Sequence, residues 1–281
     1  MPAWWPAICC RSCHGRLRIS RKAEVLLTID VGNTNIALGI FEGETLRATW
    51  NIATDLNKTA DEYDVLLSNL LPKEGLELSD IDHISVACVV PPLLTIIERL
   101  CQRYLKTPPL VVGPGVKTGV RICTDNPREV GADRVVNSAA AHHLYGKPVI
   151  VIDFGTATTF DAVSKEGDYL GGSIAPGILI SAEALFERAS KLPRVELVPP
   201  ENAIGKNSVS AMQSGIIFGY VGLIESLVAR MKKELGGDAY VVATGGLARV
   251  IAPQTKKIDM VNMHLTLIGL RLIHEMNREE K

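Results

Sequence analysis

Two short segments of the sequence repeat one another: Asp30-Val31-Gly32-Asn33-Thr34-Asn35 and Asp153-Phe154-Gly155-Thr156-Ala157-Thr158. Each follows an apolar run (Val25–Ile29 or Val149–Ile152) and leads into a second β-type run (Ile36–Phe41 or Thr159–Val163). A glycine two residues after an aspartate lets the chain turn sharply and brings backbone N–H groups close to a ligand. Asn and Thr side chains add donors, so such a turn can act as an anion nest. The aspartate at the strand end would repel phosphate directly and better suits a cation or its water. A single turn of this kind serves equally well as an ordinary tight hairpin. Two of them, 123 residues apart, can clamp a polyphosphate from both sides. The sequence has no G-x-x-x-x-G-K-[ST] loop, which sets the P-loop class aside.

Two further segments carry reactive types. Gly131-Ala132-Asp133-Arg134 opens a helix, with Asp133 in the first turn, where the helix dipole favours the charged form a general base requires. Arg134 can stabilise that carboxylate or meet a carboxylate or phosphate of a substrate. On residue type alone, Asp133 also fits an unremarkable N-terminal helix charge. Thr244-Gly245-Gly246 closes the apolar run Ala239–Ala243, as either a ligand-approach turn or a simple strand–helix turn.

The elements that must position these residues follow from patterning. Val25–Ile29, Ile36–Phe41 and Thr45–Ile52 read as an antiparallel meander. Thr59-Ala60-Asp61-Glu62 is a capping box that opens a helix through Leu71. Ile84–Val90, the helical pattern Leu93–Leu105 and Leu110–Gly113 form a βαβ unit. Helices are expected from Gly131 toward Tyr145 and over Gly177–Leu192, Ser208–Leu235 and His264–Asn277. Gly215, Gly219 and Gly222 share one helical face, which suggests close helix packing, with a dimer interface as one place for it. The duplicated turns suggest two domains built on one hairpin plan.

The chain has 281 residues, 47% hydrophobic, with 30 Lys+Arg against 31 Asp+Glu. A net charge of −1 argues against a global nucleic-acid or membrane field. Residues 1–24 carry a net +4 and the other 257 a net −5, so the first segment reads as a separate leader. It contains Cys10-Arg11-Ser12-Cys13-His14, the C-x-x-C-H pattern of haem attachment. Its basic residues follow the apolar stretch Ala3–Cys10 instead of preceding it, contrary to an export signal, and no second C-x-x-C completes a zinc site. An arginine-rich targeting segment is the alternative to an inert leader. Cys88, Cys101 and Cys123 are expected as buried reduced thiols, which suits the cytoplasm. The longest uninterrupted apolar run considered, Gly215–Ile224, is ten residues and too short to span a membrane.

The order of motifs resembles the type III pantothenate kinases of the acetate and sugar kinase/Hsp70/actin superfamily. The resemblance covers Leu26 to Leu272 and is most specific at Asp30–Asn35, Asn126–Arg134 and Asp153–Thr159, with support from Ile204–Asn207 and Leu265-Thr266-Leu267. It implies an α/β fold of two ribonuclease H-like, actin-like ATPase domains, with mixed sheets flanked by helices and a nucleotide cleft between them. The expected domains are 25–140 and 141–281. It implies ATP-dependent phosphorylation of the pantothenate 4′-hydroxyl, the first step of coenzyme A synthesis. It further implies Mg²⁺ with ATP, a monovalent cation (K⁺ or NH₄⁺), and a homodimer with no nucleic-acid or membrane partner.

Carried over by position, Asp30, Val31, Gly32, Asn33, Thr34, Asn35, Ile36 and Ala37 form the first phosphate loop, with Asp30 helping to hold Mg²⁺–ATP. Thr156, Gly245 and Gly246 fall at nucleotide contacts, and Asp153 at the monovalent-cation ligand. Gly131, Ala132, Asp133 and Arg134 form the pantothenate site, with Asp133 the general base. Thr124 stands where the family usually has a substrate-contacting Tyr, and Ser208 where Thr is common. Two other readings are a kinase for another small hydroxylated acceptor and a non-catalytic nucleotide-binding regulatory relative. The intact Asp30, Asp133 and Asp153 weigh against the second. Deleting residues 1–24 should leave pantothenate-dependent ADP release at the full-length rate; loss of turnover would make that segment part of the working fold.

Overall fold

A computed structural model describes residues 24–278. The leader, with Cys9, Cys10, Cys13 and His14, lies outside the described residues.

Strands β1 (Val25–Val31), β2 (Asn35–Glu42) and β3 (Thr45–Ala53) form the antiparallel meander. Helix α1 (Ala60–Leu70) starts at the expected capping box: Thr59 accepts from the Glu62 amide, and Glu62 accepts from the Thr59 amide. Strand β4 (Ile81–Cys88) lies parallel to β1, helix α2 (Pro91–Leu100) crosses over, and β5 (Pro109–Val111) lies parallel to β4. The sheet order is β3-β2-β1-β4-β5. Strand β1 is an almost unbroken apolar run because both its faces are covered. Leu27 and Ile29 join the core of α1 and α2, and Leu26 packs with Phe41 and Leu267 on the other side.

After β6 (Arg121–Ile122) and α3 (Ala132–Tyr145), the plan recurs. Strands β7 (Val149–Phe154), β8 (Ala157–Val163) and β9 (Asp168–Pro176) form a second antiparallel meander. Helices α4 (Ile178–Arg188) and α5 (Ser208–Glu234) precede β10 (Tyr240–Thr244), which is parallel to β7. Helix α6 (Ala248–Ile251) leads to β11 (Met260–Val261), parallel to β10, and α7 (Leu265–Asn277) ends the fold. The order is β11-β10-β7-β8-β9-β6. Without β6, this is the first sheet's arrangement strand for strand. The duplication visible in two turns extends to a whole five-stranded topology.

Helices α3 and α7 form the layer shared by the sheets. Val136 and Ala139 of α3 pack with Ala87 of β4 and with Leu270 and Ile273 of α7. Ala140 and Ala141, one turn further, pack with Val149 and Val151 of β7. The expected divide at 140–141 therefore falls inside α3. The helices cross closely at Gly269, where a Cβ would sit 2.4 Å from the Val136 carbonyl oxygen.

Two expectations differ from the structure. A Cβ added at Gly215, Gly219 or Gly222 meets nothing within 4 Å, so this stripe of α5 faces outward and packs no helix. Helix α5 is long and apolar enough to cross a membrane by length and composition. Its opposite face (Ile216, Ile217, Tyr220, Ile224, Val228) packs as core against the second sheet. Cys88, Cys101 and Cys123 are free; Cys101 is buried as expected, whereas Cys123 is exposed and Cys88 half-buried. Gly269→Val should force the α3–α7 crossing apart and lower unfolding stability by at least ~2 kcal/mol, measured as a shift of the denaturant midpoint. An unchanged midpoint would mean that the crossing can relax at little cost.

Candidate active site

The two Asp-x-Gly turns are built alike and touch. In the first, the Gly32 N–H donates to the Asn35 carbonyl at 3.0 Å; in the second, the Gly155 N–H donates to the Ala157 carbonyl at 3.1 Å. Each is tied from behind by the residue just after the third strand of its sheet. The Thr54 N–H donates to the Thr34 carbonyl at 2.9 Å, and the Gly177 N–H donates to the Thr156 carbonyl at 3.1 Å. Gly177 must lack a side chain, since a Cβ there would lie 2.2 Å from the Thr156 carbonyl oxygen. The hydroxyls of Thr34 and Thr156, each the residue just before the second strand of its sheet, share a hydrogen bond of 2.8 Å. The expected pairing of the two turns is thus a direct contact.

Val31 and Ile36 are cross-strand partners with fully buried side chains, so only their backbones can face a ligand. Gly32 is half-buried, Asn33, Thr34 and Asn35 are exposed at the tip, and Ala37 pairs with Asp30. Asp30 and Asp153 are the next-to-last residues of β1 and β7, and Asp133 lies in the first turn of α3. Burial pushes the Asp30 carboxyl up to about 8, and the charges of Asp133 and Asp153 add to the shift. Burial and the charges of Asp133 and Asp161 push Asp153 up to about 7. Three carboxylates therefore share one poorly hydrated locus.

Each acid is held by specific partners. Asp133 Oδ1 accepts from the Arg134 backbone N–H at 2.8 Å, and Gly131 is needed because a Cβ there would sit 2.5 Å from that oxygen. Burial raises the Asp133 pKa, with the Arg134 amide and guanidinium opposing, so the helix start alone does not keep the acid in its usual range. Asp153 Oδ2 accepts from Asn137 Nδ2 at 3.1 Å. Gly245, with φ +87°, passes close to the other oxygen; a Cβ there would lie 2.4 Å from Oδ1. The adjacent Gly246 faces open space.

Arg134 is turned toward Asp161, a fully buried acid of β8. Its Nε and Nη2 approach Asp161 Oδ1 at 2.8 and 2.6 Å, and the Tyr169 hydroxyl donates to the same oxygen at 2.7 Å. Thr124 follows β6 beside β9, with its Oγ1 buried and without a hydrogen-bond partner among the described residues. Ser208 opens α5 and lines a cavity of about 690 Å³ with Ser181, Met212 and Tyr220, none of which belongs to the carboxylate cluster.

Sequence reasoning missed Asp161, Tyr169, Asn137 and Thr54. Asp161 had a readable signal, being an acid inside an apolar β run. Asn137 had one too, four residues after Asp133 and so on the same helix face.

Among the described residues, no three His, Cys, Asp or Glu form a ready metal cage. The donor set fits Mg²⁺ that keeps water and substrate phosphate as ligands. It also fits a larger cation beside Asp153, whose Oδ1 is approached by the side-chain-free backbone of Gly155 and Gly245.

A family model described as type III pantothenate kinase matches residues 26–230. A type III pantothenate kinase of Syntrophus aciditrophicus is 55% identical over 253 residues, 90% of this chain and 100% of that protein. One from Moorella thermoacetica is 56% identical with the same coverage. Among solved structures, a Campylobacter jejuni protein described as a Baf family transcriptional activator aligns with TM-score 0.59 at 19% identity, over 89% of this chain and 98% of its own. MreB5 of Spiroplasma citri bound to AMPPNP aligns with TM-score 0.53 at 10% identity, over 90% and 96%. At these identities the two structures establish the actin-like ATPase fold.

An acid whose pKa rises on folding binds extra protons in the folded state. The resulting stability is complete below the unfolded-state value and is lost as pH rises through about 7 for Asp153 and about 8 for Asp30. The ligand-free protein should therefore lose thermal stability across that window. Asp30→Asn should flatten the loss, and Mg²⁺–ATP should offset it. A wild-type melting profile that matches Asp30→Asn from acid to pH 8 would refute the crowding of these acids.

Proposed function

The chain belongs to the type III pantothenate kinase family, and from that premise we propose how its residues divide the work. The reaction is ATP-dependent phosphorylation of pantothenate in coenzyme A biosynthesis. Phosphoryl transfer needs positioning, charge neutralisation and a base to orient the acceptor hydroxyl more than it needs covalent chemistry.

The paired turns present backbone N–H groups and the Thr34 and Thr156 hydroxyls to the ATP phosphates, while Gly245 and Gly246 lie toward the nucleoside. Asp133 takes the proton of the 4′-hydroxyl. With Oδ1 held by the Arg134 amide, Oδ2 is the oxygen that receives it. Arg134, fixed on Asp161, offers its outer edge to the acceptor side with Thr124. Asp30 holds the Mg²⁺–ATP unit and Asp153 the K⁺ or NH₄⁺. Bound there, the cations supply the positive charge that offsets both the phosphates and the crowded acids. The observation that carries this reading is the cluster of Asp30, Asp133 and Asp153, each delivered by a different element and each raised in pKa.

A homodimer is the second part of the proposal. Its support is the exposure of Leu179, Ile180, Leu185 and Phe186 around α4 and of Val209 and the outward glycines on α5, the helix α4 packs with. Such a patch exceeds scattered surface apolar residues. Ser208, at its edge, then meets substrate near the subunit interface. The free thiols support a cytoplasmic location.

Asp133→Asn should cut turnover at least ~100-fold, the scale of general-base loss, with near-normal ATP affinity, measured as pantothenate-dependent ADP release. Full turnover in that variant would remove the base assignment.

A further inference from the structure

Asn137 is buried, yet both ends of its amide are engaged. Nδ2 donates to Asp153 Oδ2 at 3.1 Å, and Oδ1 accepts from the Thr266 hydroxyl at 2.7 Å. In the ionised form that a cation ligand requires, the Asp153 carboxylate can only accept and so faces the NH₂ group. A flipped amide would set its carbonyl against the carboxylate. The Thr266 hydroxyl, by donating, holds the amide the right way round.

Thr266 is itself placed by neighbours that grip different sheets. Leu265 packs with Val149, Val151 and Val242 of the second sheet, and Leu267 with Leu26 and Phe41 of the first. The hydroxyl between them is aimed at α3. Gly245 completes the arrangement, since a Cβ at that position would sit 2.4 Å from Asp153 Oδ1.

We propose that Thr266 and Asn137 form a positioning relay that holds Asp153 Oδ2 from behind, so that Oδ1 is presented to a bound monovalent cation. The relay couples cation affinity to the seating of α7 between the two sheets. It rests on the reading of Asp153 as the cation ligand. Neither relay residue touches substrate; both act through Asp153.

The test uses the full chain with Thr266→Val, which keeps shape and removes the hydroxyl, Thr266→Ser, which restores it, and Asp153→Asn. The half-saturating K⁺ concentration is read twice: from the rise of melting temperature on titrating K⁺ against a constant-ionic-strength Na⁺ background, and from turnover. Loss of one neutral hydrogen bond should raise both values about 5-fold in Thr266→Val. The pantothenate KM should not move, and Thr266→Ser should return close to wild type. Three results overturn the relay: a wild-type K⁺ response in Thr266→Val, a serine variant no better than valine, or a fall in kcat equal at every K⁺ concentration. Asp153→Asn separates the two levels. If it keeps the full K⁺ response, the cation role of Asp153 fails and the relay with it. If it loses the response while Thr266→Val retains it, the relay alone fails.

Discussion

Three carboxylates are forced into one locus, and the rest of the structure is arranged around that cost. Asp30 is shifted partly by the charges of Asp133 and Asp153, and Asp153 by those of Asp133 and Asp161. The arginine next in sequence to Asp133 offsets its burial only in part, because its guanidinium is committed to Asp161 and the ring of Tyr169. On the proposed reading, this leaves a deficit of positive charge where the polyphosphate would bind with its metal. Such an acid site would take the anion together with cations, making nucleotide and metal binding one event instead of two. The net −5 of residues 25–281 is consistent with that arrangement: neutralisation is local, by ions and backbone dipoles, and not by a basic surface.

The two sheets deliver the acids by symmetry. Asp30 and Asp153 stand at matching ends of β1 and β7, each followed by a turn closed by a Gly N–H and each braced by the residue after the third strand. The hydrogen bond between Thr34 and Thr156 marks where the two halves meet. Duplication explains why opposed turns are found without any long-range signal in the local sequence of either one. It does not supply Asp133, which comes from the helix between the sheets and breaks the symmetry. In the proposed reading, that third acid gives the paired turns a distinct acceptor side.

Much of this was legible because it is local. The Asp-x-Gly turns, the Thr59 capping box, the βαβ unit and the start of α3 each rest on residues within a few positions of one another. The missing parts are long-range or sterically hidden. Asp161 pairs with Arg134 from 27 residues away. Asn137 meets Thr266 from 129 residues away. Neither pairing has a sequence period. Strand β9 escaped notice because it combines Gly171 and Gly172 with an edge-like alternation. Gly172 is there because a Cβ would lie 1.7 Å from the Phe160 carbonyl oxygen. The glycine stripe of α5 shows a different limit: spacing suggested helix packing, and no helix of this chain packs on it.

The layer of α3 and α7 then decides how precisely the site is assembled. Asp133 moves with α3, Asp30 with the first sheet and Asp153 with the second, so no single sheet fixes their separations. Helices α3 and α7 contact both, through Ala87 and Val136 on one side and Ala140, Leu265 and Val149 on the other. The absence of a side chain at Gly269 lets the two helices approach to backbone contact, which leaves little room for sliding. A displacement of either helix by part of a turn would separate Asp133 from the other acids and withdraw the Asn137 amide from Asp153 together. Geometry at the reacting atoms is thus set by apolar packing remote from them, and the electrostatic crowding persists because that packing outweighs it.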